Sequence, residues 1–180
     1  MGLAEEELQP LVDSWRAANP NIVKFWWDVD RAVKTAVKRK KQADVNGIRF
    51  FCQRGMLFMQ LSSGRGLAYV KPRIGSNRLD SEFVTCEGVG GAKKRERIES
   101  YGSKFVENIV QAISRDILCY AMKTLSNCMI CAYVHNELII ECREDVSLDA
   151  ICEQMRRTPP WAEGLVLRAD GNCTRFYKKE

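Results

Sequence analysis

The chain has 180 residues, of which 46% are hydrophobic and 28% charged, and a net charge of +5. That suits one globular domain, or a domain plus an appendage, with enough chain to bury a core. No apolar run approaches the ~20 residues that span a bilayer, and residues 1–20 are acidic and polar rather than basic then apolar, unlike a signal peptide; the expectation is a cytoplasmic chain with no membrane partner.

Residues 5–18 read as a helix, with Glu5, Glu6 and Glu7 at the favoured end of its dipole and Leu8, Leu11, Val12 and Trp15 at helical spacing. Asn19-Pro20-Asn21 breaks it. A longer helix follows over about 21–41, with Ile22, Phe25, Trp26, Val29, Val33 and Val37 as its apolar face and basic last turns. Ile48–Cys52 and Met56–Leu61 are β-rich runs around Gln53-Arg54-Gly55, a hairpin signal. Ser62–Gly66 is a turn, Leu67–Val70 a strand, and residues 71–81 a loop with Pro72, Gly75 and Asn77. Glu82–Glu87 and Arg95–Tyr101 make another strand pair around a Gly-rich, basic tip at 88–94.

A long helix is expected over about 102–126, with Val106, Ile109, Val110, Ile113, Ile117 and Ala121 as its buried stripe. Lys104, Asn108, Gln111 and Arg115 are spaced four, three and four apart, so they line another face. Leu118 and Met122 continue that face as apolar residues, which marks it as buried at one end. Two apolar strands follow, 128–134 and 138–142, joined at His135-Asn136-Glu137. A helix over about 147–157 with Ser147 as N-cap, Pro159-Pro160-Trp161, and a short strand at 173–177 end the chain. The pattern is α+β.

The eight cysteines are scattered, mostly in apolar segments, and read as reduced, buried thiols. Cys128-Met-Ile-Cys131 has C-x-x-C spacing, but it has no second pair for zinc and lies in an expected strand rather than at a helix start, so neither a zinc nor a redox motif is read there. The positive charge is local, at Lys38-Arg39-Lys40-Lys41, at Lys93-Lys94-Arg95 with Arg97, and at Lys178-Lys179. Such runs are usually solvated faces; three in one small chain point toward a polyanionic partner.

His135-Asn136-Glu137 admits two readings. Asn is a common turn residue, so the tip can be a turn and nothing more. A rigid hairpin tip can also hold metal ions, for which Glu137 is a hard ligand and Asn136 offers an uncharged carbonyl oxygen.

Several ordered motifs extend the second reading. "VHNELIIE" resembles motif C of the family A (Pol I-like) DNA polymerases, which typically reads Val-His-Asp-Glu between two strands. "YGSKFVENIVQAISRDIL", residues 101–118, resembles the helix just before motif C, most closely in phage-type enzymes. "LSSGRGLAY", residues 61–69, is similar to the Pro-Ser-Gly-Arg strand turn of that group, and "RTPPWAEGLVLRADGNCTRFYKKE" to its C-terminus. The helix, Asn19-Pro20, helix opening is similar to the end of the fingers subdomain where it returns to the palm. The resemblance covers essentially all 180 residues.

It implies a C-terminal fragment, with C-terminal fingers helices over 1–45 and the C-terminal part of the palm over 46–180: an antiparallel palm-type sheet with the motif C hairpin, packed against the long helix. The implied function is template-directed nucleotidyl transfer in DNA replication, with primer–template DNA and deoxynucleoside triphosphates as partners and Mg2+ as cofactor. In such enzymes a motif C Asp and a motif A Asp hold two metal ions. Carried over, Asn136 stands at the catalytic Asp, Glu137 at its neighbouring carboxylate, and His135 near the primer terminus. Gln111 stands at the glutamine that contacts the minor groove; Lys104, Asn108, Arg115 and Arg65 join it as DNA contacts.

The departures are large. The Asp-Tyr-Ser type motif A and the Arg-x-x-x-Lys-x-x-x-Phe-Gly motif B are not in the chain, Asn136 replaces the Asp, and Arg65-Gly66 replaces the usual Arg-Arg. The expectation is therefore a chain inactive alone, with Mg2+ weakly held or absent, that pairs with a missing N-terminal polymerase portion or self-associates through exposed apolar surface. A non-catalytic DNA-binding remnant, an unrelated interaction domain and a cysteine-based metal or redox protein are the competing readings.

Overall fold

The structure, a computed structural model, describes residues 5–76, 82–91 and 93–177. The chain divides into two compact units, Met1–Ile109 and Val110–Glu180.

In the first unit, helix α1 (Glu5–Ala18) meets helix α2 (Pro20–Arg39) at Asn19. Proline fits the first turn of α2, where its missing N–H has no helical partner. The Asn19 side-chain amide donates to the Trp15 carbonyl at 2.8 Å, and Trp15 stacks on Trp26 with ring centroids 5.6 Å apart. The periodicity of α1 is as expected, but its apolar face is not buried: Leu8, Leu11, Val12 and Trp15 are all exposed. In α2, Val29, Val33 and Val37 are buried with Ala32 and Ala36, while Ile22 is exposed. Lys40, at φ +52°, ends that helix.

Six antiparallel strands then pair in sequence order: β1 (Ala43–Val45), β2 (Ile48–Gln53), β3 (Met56–Gln60), β4 (Gly66–Ser76), β5 (Glu82–Val89) and β6 (Arg95–Ser100). Strand β1 went unread in the sequence. It turns into β2 through Asn46-Gly47, both at positive φ, the residues that two-residue hairpins favour. The expected loop over 71–81 is corrected through Ser76. Strand β4 continues past Pro72 because a bulge between Val70 and Arg73 absorbs the proline before pairing resumes with β5. Residues 77–81 lie outside the described residues.

Helix α3 (Gly102–Thr124) begins in this unit. A side chain on Gly102 would place its Cβ 2.2 Å from the Trp26 carbonyl oxygen, so glycine alone lets α3 start this close to α2. Phe105 and Ile109 join Phe50, Leu57, Met59 and Val84 among the fully buried side chains of the unit.

The second unit holds the rest of α3, a separate two-stranded sheet of β7 (Met129–Val134) and β8 (Glu137–Glu141), helix α4 (Leu148–Met155) and a short 3-10 helix (Pro160–Ala162). Ser147 caps α4, its hydroxyl accepting from the Ala150 N–H at 3.3 Å. The Gln154 amide donates to the Thr124 carbonyl at 3.4 Å, which ties α4 to the end of α3.

The single buried stripe expected on α3 is corrected. Phe105, Ile109 and Ala112 are buried on one face, whereas Leu118, Ala121 and Leu125 are buried on another, and Val110 is exposed. Burial therefore changes face along the helix, which one uninterrupted stripe cannot describe. The strand expected at 173–177 is also corrected: the segment is irregular and finds no partner strand among the described residues. The architecture is α+β, with a six-stranded antiparallel sheet, a long helix and a separate hairpin.

The cysteines divide unevenly. Cys86 and Cys152 are buried, but Cys131, Cys142 and Cys173 are exposed, which corrects the expectation of uniformly buried thiols.

Candidate nucleic-acid interface

The hairpin is built by its apolar strands. Ile130 pairs with Ile140, Tyr133 with Leu138 and Val134 with Glu137, with one bulge that leaves Cys131 unpaired in the register. The turn is His135-Asn136, and Glu137 is the first residue of β8. His135 sits at φ +52°, a left-handed conformation that histidine adopts less easily than glycine. His135, Asn136 and Glu137 are all exposed.

The tip's donors do not fit a two-metal centre. Glu137 brings one carboxylate and Asn136 one neutral amide, while a pair of magnesium ions needs several hard, charged oxygens. Among the described residues no group of three or more His, Cys, Asp or Glu side chains converges to hold a metal. No catalytic step follows from this tip alone.

The polar residues of α3 are held in place by different partners. In the first unit, the Asn108 amide donates to the Tyr69 hydroxyl at 2.8 Å, and Tyr69 lies edge-on to Phe105 with centroids 5.3 Å apart. Burial pushes the Tyr69 phenol above its ordinary range, with the Asn108 hydrogen bond pulling the other way. One Asn108 N–H is thus committed to Tyr69. Lys104, one turn earlier, is exposed.

In the second unit, Gln111 is exposed and Arg115 half-buried, its guanidinium carbon 4.0 Å from the centroid of the Tyr133 ring. A cation over an aromatic face is attracted by the ring quadrupole. This contact joins α3 to β7, the strand that leads to the His135 turn. Tyr133 was not singled out in the sequence; its place two residues before the turn was the available signal.

Arg65 is exposed in the turn between β3 and β4. The Leu61 N–H donates to the Arg65 carbonyl at 2.8 Å, and the Gly64 N–H to the Leu61 carbonyl at 2.9 Å. The basic runs fare unevenly. Lys38 pairs with Glu82. Arg97 is internal to the sheet: its Nε donates to the Thr85 hydroxyl at 3.0 Å and its Nη2 to the Lys71 carbonyl at 2.9 Å. Lys178 and Lys179 lie outside the described residues. No helix among the described residues is long and apolar enough to cross a membrane.

Comparison with known proteins gives a relative: over an alignment of 185 residues covering all of this chain, it is 44% identical to a protein named DNA polymerase from Bacillus phage SP02. The chain spans 28% of that protein's length. No protein-family model matches the chain, and no solved structure does.

Proposed function

We propose that this chain is part of a phage-type family A DNA polymerase: the C-terminal fingers helices over 1–45 and the C-terminal part of the palm over 46–180, with the β7–β8 hairpin as motif C. The observation that carries this reading is the 44% identity, along the whole chain, to a phage DNA polymerase. The ordered motifs at residues 61–69, 101–118 and 134–141 support the finer family assignment.

In this reading the chain grips primer–template DNA but does not extend it. Lys104, Arg115 and Arg65 bind phosphates, and Gln111 reads the minor-groove acceptors that every base pair presents. Asn108 contributes its amide oxygen and remaining N–H. His135 stands by the primer terminus. Asn136 and Glu137 replace the metal-holding pair of motif C with a single charge, so Mg2+ is held weakly at best and nucleotidyl transfer from a deoxynucleoside triphosphate requires the upstream polymerase portion as partner. The compartment is the cytoplasm.

The test is fluorescence anisotropy of a labelled primer–template junction over a salt series, with blunt duplex and single strand beside it. Tighter binding to the junction, lost in Gln111→Ala, is the expected result. Equal, weak binding to all three DNA forms would refute the reading.

A further inference from the structure

The first unit carries a cationic groove that lies apart from the motifs at residues 61–69, 101–118 and 134–141. An open surface depression of about 460 Å³ is lined by Lys40, Gln53, Arg54, Lys71 and Arg73, with Gly55 beside them. No carboxylate lines it. These cations come from three separate places: the end of α2, the β2–β3 turn and the β4 bulge. Basic residues at the end of α2 are what its dipole favours and need no further explanation. The other three come from the sheet, and no helix dipole accounts for them.

The scaffold beneath them is fixed. Lys71 stands at the bulge with φ +45°, a strained conformation for a residue with a side chain. Its N–H donates to the Gly55 carbonyl at 3.0 Å, and its carbonyl accepts from Arg97 at 2.9 Å. The bulge is therefore held to the β2–β3 turn on one side and to β6 on the other. Arg54, in that turn, is also left-handed at φ +49°. Strain held by surrounding bonds, and bulges that re-aim side chains, recur at binding sites. Lys71 reaches Glu87 at 3.0 Å, whereas Lys40, Arg54 and Arg73 have no carboxylate partner among the described residues. Three of the four cations are thus left for an external anion.

We propose that this groove binds the phosphodiester backbone of a nucleic-acid strand without regard to sequence. It is open, and none of its lining residues is aromatic, so it offers no ring on which a base could stack. Its four cations suit the charge that every phosphate of a strand carries. Free polyphosphate shares that chemistry, and the experiment separates the two. The proposal does not depend on the hairpin or on the α3 residues.

The experiment measures anisotropy of a labelled single-stranded 20-mer against the full chain, the Arg54→Gln/Arg73→Gln double variant and Gln111→Ala. Both arginines are exposed, and unchanged circular dichroism would confirm folding. Each phosphate contact contributes about 0.7 to the slope of log K against log salt for single strands, so the double variant is expected to lose between one and two from that slope, and roughly tenfold in affinity at low salt. Unchanged slope and affinity, or no binding by the parent chain, would overturn the proposal. Inorganic tripolyphosphate is the competitor. Displacement of the 20-mer only at high tripolyphosphate concentration supports a nucleic-acid groove. Tripolyphosphate binding that is lost in the double variant while 20-mer binding is untouched would reassign the groove to free phosphates. Loss in the double variant with Gln111→Ala unaffected separates this groove from the proposed junction contacts.

Discussion

The Arg115 guanidinium lies 4.0 Å over the Tyr133 ring and fastens the long helix to the strand that delivers the His135 turn. Tyr133 is 48% exposed, so the contact is only partly desolvated. Its expected strength is about 0.5–1 kcal/mol. A double-mutant cycle of Arg115→Gln and Tyr133→Leu, read by urea unfolding, should show a coupling of that size. Purely additive effects would mean that the ring and the cation merely lie near each other.

The closeness of α3 to α2 at Gly102 is a sharper dependency. A Cβ there meets the Trp26 carbonyl oxygen at 2.2 Å and the Asp30 Cβ at 3.0 Å, and a backbone oxygen cannot swing away as a side chain can. Gly102→Ala should destabilise the protein by about 1–3 kcal/mol, as overpacking does. A wild-type urea midpoint for this variant would show that α3 can start farther from α2.

Arg97 holds three strands at once, through the Thr85 hydroxyl and carbonyl on β5 and the Lys71 carbonyl on β4. The carbonyl at the bulge would otherwise have no ladder partner there. Arg97→Lys keeps the charge but loses the planar fork, and should cost about 1–3 kcal/mol. Arg97→Ala should cost at least as much. If Arg97→Lys melts like the parent, charge alone is what the sheet needs.

Cys86 sets an alkaline limit. It is 5% exposed, and burial pushes its thiol up to about 11 from an ordinary value of 9.0, with the Arg97 charge pulling the other way. The folded state holds this proton more tightly than the unfolded state does. Its contribution is therefore complete below pH 9 and is lost as pH rises through about 11. The loss is at most about 3 kcal/mol. Tyr69, shifted in the same direction, adds to it. Unfolding free energy measured from pH 8 to 11 should fall less steeply in Cys86→Ala than in the parent chain, whatever the variant's own starting stability. Parallel curves would mean that the thiol ionises in the fold as freely as in solution.

Much of this fold was legible because its helices and hairpins are local. The α1 and α2 periods, the Gln53-Arg54-Gly55 turn, the Ser147 cap and the His135-Asn136 turn are each written in contiguous sequence. The errors lie where distant contacts decide. Pro72 and Gly75 read as loop, yet the sheet carries both: the bulge accommodates the proline, and Gly75 sits opposite the Phe83 ring, which fills the space a side chain would need. Val110 fits a helical stripe, but burial changes face along α3. The candidate site divides in the same way. Its residues were proposed from α3 and the hairpin, whereas Asn108 on Tyr69, 39 residues apart, and Arg115 on Tyr133 depend on folding. The basic groove is assembled from three segments, and only Lys40 belongs to a basic run legible in the sequence.

Asn136 tests how much chemistry the hairpin keeps. It is exposed at the turn beside Glu137, and among the described residues no group of three or more His, Cys, Asp or Glu side chains converges to hold a metal. Asn136→Asp adds a second carboxylate beside Glu137 and should tighten binding of a divalent cation at the tip. Paramagnetic Mn2+ broadening of the Val134–Leu138 amide signals should then occur at lower concentration than in the parent. Primer extension should still not appear, because a two-metal mechanism needs carboxylates from a second segment and the motif A pattern is not in this chain. The two readouts separate two ideas. Broadening without extension supports a motif C hairpin that lacks its motif A counterpart. Extension by Asn136→Asp alone would mean that the second metal-holding segment is already within these 180 residues.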